Sequence, residues 1–415
     1  NFTYDGLGRR LTAEDLHASG DTTFGSWTYT YDDAGNMTQS VSPESKTVDY
    51  TYDDTNRVLT ENYTGASGTE VTYAYDSCTN GVSKLCSVTM TSGANTAYTY
   101  DSNSNVASEV KTINATTYST SYTYDRQGHQ LVITYPDSAQ VRNTFNSAGT
   151  LNQVERKESG GSYTDVVSNL DYSPANQVTT TTYANGTATT NTYDAAHLYR
   201  LNNKTTVNGA PTNLQDITYT YDANGNIIQI VDASNTSASK TVAYTYDDLN
   251  RMLTATATSV AGGQSTYTHT YAYNAIGNIT SGPVGSYVYN GSSGSNWANP
   301  HAATSINSMT NTYDKDGNNL TDGTLTNTWN YKQQLSTSTN GTFTRTYLYD
   351  EKGNRVSSSD GTTTTVYPNK LYNYDGTKKT KSVYAGDQLV ATVETVSSTV
   401  TPYYDHTDHL GSTNV

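Results

Sequence analysis

The stretch TYTYDDAGNMTQ, residues 28–39, returns in outline as TYTYDANGNIIQ at 218–229 and as TYLYDEKGNRVS at 346–357. In the first two copies Tyr and Thr alternate, so both Tyr fall on one face of a strand and both Thr on the other; in the third Leu348 replaces one Thr. Asp32 then ends the strand, because its short carboxylate favours a turn. Gly35 and Asn36 tolerate the left-handed backbone a reversal needs. The same grammar is read at Tyr221, Asp222, Gly225 and Asn226, and at Tyr349, Asp350, Gly353 and Asn354. Each unit is therefore predicted to be a β-hairpin headed by Tyr31, Tyr221, Tyr349 or an equivalent tyrosine.

Working outward, Tyr-Asp pairs recur from Tyr4 to Tyr404, with degenerate copies such as Tyr172-Ser173 and Tyr273-Asn274 between them. A period of roughly twenty residues is the length of one supersecondary unit, so the chain reads as an array. Roughly sixteen hairpins would make about thirty strands and a ribbon on the order of 150 Å wide. Open twisted sheets rarely pass ~10 strands without curling. The predicted fold is therefore all-β: tandem hairpins in a sheet that coils into a spiral, tube or hollow shell, one turn being roughly 50 Å across. Residues 1–281 read as the regular array, 282–308 as an irregular insertion or long loop, and 309–405 as further repeats. Helix is confined to two short candidates, 13–18 and 194–201.

Composition agrees. The 415 residues are only 33% hydrophobic, with mean hydropathy −0.68. A chain of that polarity would tend to disorder, except that it holds 38 Tyr against 4 Phe and 3 Trp. Each Tyr buries a large ring while its hydroxyl seeks a partner, and Tyr and Thr both favour strands. The net charge of −15 is scattered, not gathered in a tail. It excludes nucleic acid, whose phosphates need a basic stripe, and no apolar run is long enough to insert in a membrane. The chain opens at Asn1 in mid-repeat, so it is expected to be a portion of something longer, secreted or displayed at a cell surface. Cys78 and Cys86 bracket CTNGVSKLC, spacing that suits a disulfide across a hairpin and leaves two free thiols as the alternative.

Several motifs are candidate sites. His406 and His409 with Asp405 and Asp408 form an HxxH cluster. That spacing suits one face of a helix, whereas the surroundings read as strand and turn, so no metal ligand is assigned. In DKDGNN, 314–319, Gly317 stands fourth and residues 324–326 are Thr, Leu and Thr where a calcium loop wants Glu; a turn is the reading. No GxSxG elbow is present, and no catalytic residue or cofactor is assigned.

The ordered series NPHAATSI (299–306), TWNYKQQLS (328–336), YLYDEKGNRV (347–356), YAGDQLVAT (384–392) and HTDHLGSTNV (406–415) resembles the Rhs or YD-repeat family, and CTNGVSKLCSVT at 78–89 resembles a family variant of the turn. That family includes bacterial polymorphic toxins, the shell component of Tc toxin complexes, and teneurins. The resemblance implies a β ribbon spiralling into a hollow container around a C-terminal polypeptide of the same parent chain. It also implies that 406–415, with Asp408, His409, Leu410 and Gly411, opens the core segment that forms the family's autoprotease. Because only that opening is present, the resemblance implies the container wall and no catalytic residue. Three functions follow: a non-enzymatic wall enclosing a C-terminal effector; an extracellular fibre, tube or adhesive scaffold that self-associates through sheet edges; and a module that binds surface glycans through its aromatics.

Overall fold

The computed structural model describes residues 1–14, 25–65, 68–209, 213–234, 239–259, 265–290 and 300–413. Among these residues, 39 strands form three antiparallel sheets of 23, 5 and 11 strands, spanning 2–270, 272–310 and 312–404. Each strand pairs with its successor in the chain, so every sheet is a simple meander. The irregular stretch 282–308 falls within the five-stranded sheet, and its residues 291–299 lie outside the described set.

The Tyr-Asp turn at 31–36 has a construction that recurs at 221–226 and 349–354. The Gly35 amide donates to the Asp32 carbonyl at 3.1 Å and the Asp32 amide to the Asn36 carbonyl at 2.9 Å. Pairing slips by one residue between Thr30 and Tyr31, as in a type I turn closed by a glycine bulge. Gly35, Gly225 and Gly353 take φ of 92°, 96° and 85°. Of the two residues that tolerate that conformation, the glycine takes it and Asn36, Asn226 and Asn354 do not. They stand immediately before the returning strand. The Asn36 amide and side chain donate to the two oxygens of Asp32 at 2.8 and 2.9 Å, and the same pair of bonds recurs at Asp222 and Asp350. These bonds hold the Asp32 and Asp222 carboxyls below the usual range, led by the Asn36 and Asn226 side chains.

The two faces differ as the alternation requires. Threonines pair across strands on the exposed face, as in Thr30–Thr38, Thr51–Thr60 and Thr245–Thr254. On the other face the tyrosines lean toward the preceding hairpin. The hydroxyls of Tyr31, Tyr52, Tyr75, Tyr100, Tyr221 and Tyr246 donate to the carbonyls of Arg10, Met37, Val58, Leu85, Leu201 and Ile227 at 2.7–3.0 Å. Each accepting carbonyl stands at or next to the start of the previous hairpin's returning strand. This stitch accounts for Tyr where Phe would pack as well. Tyr100→Phe is expected to cost about 1 kcal/mol by removing one hydroxyl and leaving the Leu85 carbonyl unpaired; a denaturant titration that cannot tell it from the parent chain would refute the role.

Of the two helix candidates, 194–201 does not form a helix and 13–18 lies largely outside the described residues. Ala13 and Glu14 end the strand Arg10–Glu14, while 15–18 lie outside the described residues, and Ala195–His197 is one 3-10 turn capped by Asp194. Stitching to neighbouring strands outweighs the weak helix preference of these few residues. Cys78 and Cys86 are joined, with Cα atoms 5.4 Å apart, closing an enlarged turn. Gly81 lies against both sulfurs, where an added Cβ would come within 2.6 Å of each. Intact mass with and without reductant should differ by two hydrogens; equal masses would mean free thiols.

Candidate functional site: the seam between ribbon turns

The ribbon has two rows of turns, one carrying the Tyr-Asp turns and the other at the opposite strand ends. The Tyr-Asp row of the third sheet packs on the opposite row of the first. Contacts advance in step along both. Ser42 donates to Asp316, 274 residues away, and Tyr331 to the Thr64 carbonyl, 267 away. Lys111 meets Asp350 at 239 residues, Tyr135 reaches the Ser382 carbonyl at 247, and Tyr183 reaches the Asp405 carbonyl at 222. The chain thus coils in one direction and lays its later part along its earlier part.

The seam holds the main apolar core. Val154, Val166 and Val167 of the first sheet meet Val390, Ala391 and Val393 of the third, all about 0–1% exposed, together with Tyr183 and Tyr372. Burying such valines contributes roughly 1.5–3 kcal/mol each. Tyr183 lies edge-on to Tyr404 and His406 with ring centres 6.1 and 4.6 Å away, and burial pushes its phenol up to about 12.

Lysines stud the same seam. Lys332 donates to Glu61 at 2.6 Å, with Tyr63 stacked on Tyr331 beside it. Lys381 reaches Glu158 at 2.6 Å and Asp137 at 3.1 Å. Lys352 donates to the Tyr98 hydroxyl at 2.8 Å. Two adjoining clefts open here. One of 630 Å³ is lined by Tyr98, Tyr122, Tyr124, Phe145 and Tyr384, the other of 580 Å³ by Glu109, Lys111, Asp350 and Tyr372.

The sequence-derived sites divide. Tyr31, Asp32, Tyr221 and Asp222 belong to the first sheet's own Tyr-Asp row, away from the seam, whereas Asp350 enters it. In 408–412 the chain repeats the array's turn: the Asp408 amide donates to the Ser412 carbonyl, Asp408 accepts from the Leu410 and Ser412 amides, and Gly411 takes φ 86°. Leu410 is exposed. His406 lies buried between the Thr187 and Thr189 hydroxyls, and His409 packs on Tyr219 at 4.7 Å. Asp316 of DKDGNN accepts from Ser42, the Glu44 amide and Gln333. Among the described residues no three His, Cys, Asp or Glu gather as a metal site, and no helix is long and apolar enough to cross a membrane. Glu61, Lys111, Tyr183 and Lys381 escaped sequence reading. The one local signal was a lysine just past the turn-opening Asp or Asn at 315, 332 and 352, a placement the first sheet's turns lack.

The RHS Repeat family model matches residues 4–47, 31–66 and 221–264. Toxin subunit YenC2 of Yersinia entomophaga is 32% identical, over 39% of this chain and 20% of its own length. In fold the chain is similar to TcdB2-TccC3, at TM-score 0.81 and 18% identity over 100% of this chain and 24% of that one. It is likewise similar to the Tc holotoxin pore of Photorhabdus luminescens, at TM-score 0.80 and 18% identity over 99% and 23%. The chain thus spans about a fifth of the curated relative and about a quarter of these structures. The repeated Tyr-Asp hairpin, the matched repeat model and the coiled ribbon agree, so residues 4–66 and 221–264 carry RHS repeats and the chain as a whole is similar to Rhs/YD-repeat proteins.

Proposed function

We propose that this chain is a non-enzymatic wall segment of a secreted or surface Rhs/YD-repeat container that encloses a C-terminal polypeptide of its parent chain. The observation that carries the reading is the seam: a ribbon that lays its later turns on its earlier ones builds a closed wall, which a flat sheet cannot do. The resemblance of 406–415 to the start of the core segment supports a position near the container's closing end. A disulfide at Cys78–Cys86 suits an oxidising compartment. The parent polypeptide, purified from its native source, should resist protease in a wall fragment and in a separate co-eluting C-terminal fragment. Rapid digestion of every segment beyond the wall would overturn enclosure.

A second reading is a fibre or tube in which the same coiled wall self-associates through sheet edges. Sedimentation that grows with concentration would favour it. Glycan binding is the weakest of the three, since hydroxyls of the repeat tyrosines are engaged in stitching hairpins.

A further inference from the structure

Lys111 and Asp350 differ from the other seam pairs. The Lys111 ammonium lies 2.6 Å from Asp350 Oδ2, and both side chains are nearly enclosed, at 4% and 2% exposure. Glu109, two residues earlier on the same face of Val106–Ile113, places Oε1 3.9 Å from the same nitrogen. Lys332 is far more open, and Lys381 divides itself between two carboxylates, one of them about a third exposed. A lysine and an aspartate held in contact away from water, with a second carboxyl group beside them, are the groups amide condensation needs.

We propose that Lys111 and Asp350 are joined by an isopeptide bond that forms spontaneously across the seam, with Glu109 carrying the protons. A proton moves from the Lys111 ammonium to Asp350 along their hydrogen bond, giving amine and acid with no net uptake. Nζ attacks Cγ; Glu109 delivers a proton to the departing hydroxyl and recovers one from the nitrogen. One C–N bond forms, one C–O bond breaks and one water leaves, with no oxidant or reductant. The 580 Å³ cleft lined by all three residues gives that water an exit. Burial raises the Glu109 carboxyl above its ordinary range, which suits a group that must hold a proton. Although burial opposes it, hydrogen bonding from Lys111 and Asn354 keeps Asp350 ionised, so the resting pair is ionic and the proton shift is the first step. The Tyr-Asp turn survives, because Asp350 Oδ1 is retained and still accepts from the Lys352 and Asn354 amides at 3.1 and 2.8 Å. The product ties the two ribbon turns together through a covalent loop spanning 239 residues, whatever the wall encloses.

The test is the mass of the reduced, denatured chain. It should fall below the sequence mass by one water, and a tryptic digest should contain one branched peptide joining Lys111 to Asp350. Glu109→Gln should fold, by circular dichroism, yet keep the linear mass. A parent chain of linear mass, with the two peptides recovered separately, overturns the proposal, as does a dehydrated mass without the branched peptide. A branched peptide in both the parent chain and Glu109→Gln upholds the bond and overturns the role of Glu109.

Discussion

Replacing Tyr183 by alanine is expected to weaken the seam by about 3–5 kcal/mol, the range for removing a large ring from a packed interior. Tyr183 is 1% exposed and joins the valine cluster to Tyr404 and His406. Its loss leaves a cavity bounded by two different ribbon turns, which cannot collapse without one sliding on the other. Local opening is the proper measure, because a long array need not unfold in one step. Amide protection in Gln388–Val396 should fall by that amount, while strands many hairpins away from Tyr183 along the array, such as Thr47–Tyr52, keep theirs. Tyr183→Phe should stay within about 1 kcal/mol of the parent, since it loses only a long hydroxyl contact. If alanine and phenylalanine behave alike, the ring does not hold the seam.

The segment Asp405–Thr413 should release from the first sheet on acidification. Burial lowers the values of both His406 and His409 below the ordinary 6.5, against the opposing pull of Asp405 and Asp408; the buried Lys204 lowers them further. A histidine of depressed value binds its proton more readily once undocked. Docking is therefore fully favoured above about pH 6.5, weakens as pH falls through that value, and levels off below the docked-state values. Hydrogen exchange should show 405–413 protected at about pH 8 and exchanging freely near pH 5. The double variant His406→Gln, His409→Gln should flatten that dependence. Equal protection at both values in the parent chain would remove the histidines as the cause.

Much of the site was out of reach of sequence reading for a definite reason. The Asp32 turn is settled within five residues, so its carboxylate, glycine and asparagine appear together in the string. Even there, the string marks both Gly35 and Asn36 as tolerant of the left-handed conformation, and only the asparagine's bonds to Asp32 in three dimensions show why the glycine alone takes it. Lys111 and Asp350, or Tyr183 and Asp405, are more than two hundred residues apart, and nothing local marks one as the other's partner. A lysine just past the turn-opening residue marks positions 332 and 352 in the string, yet nothing local marks Glu61 and Tyr98.

By itself the sequence determined the repeating hairpin, the segregation of Tyr from Thr, the near absence of helix and the need of so wide a ribbon to coil, since these follow from strand alternation, turn chemistry and sheet twist acting over a few residues. Only the tertiary structure decided which row of turns meets which, which tyrosine hydroxyl finds which carbonyl, and which lysines and carboxylates are shut away from water. Those outcomes depend on the pitch of the coil. Small twists summed over many strands set that pitch, and no single repeat contains it.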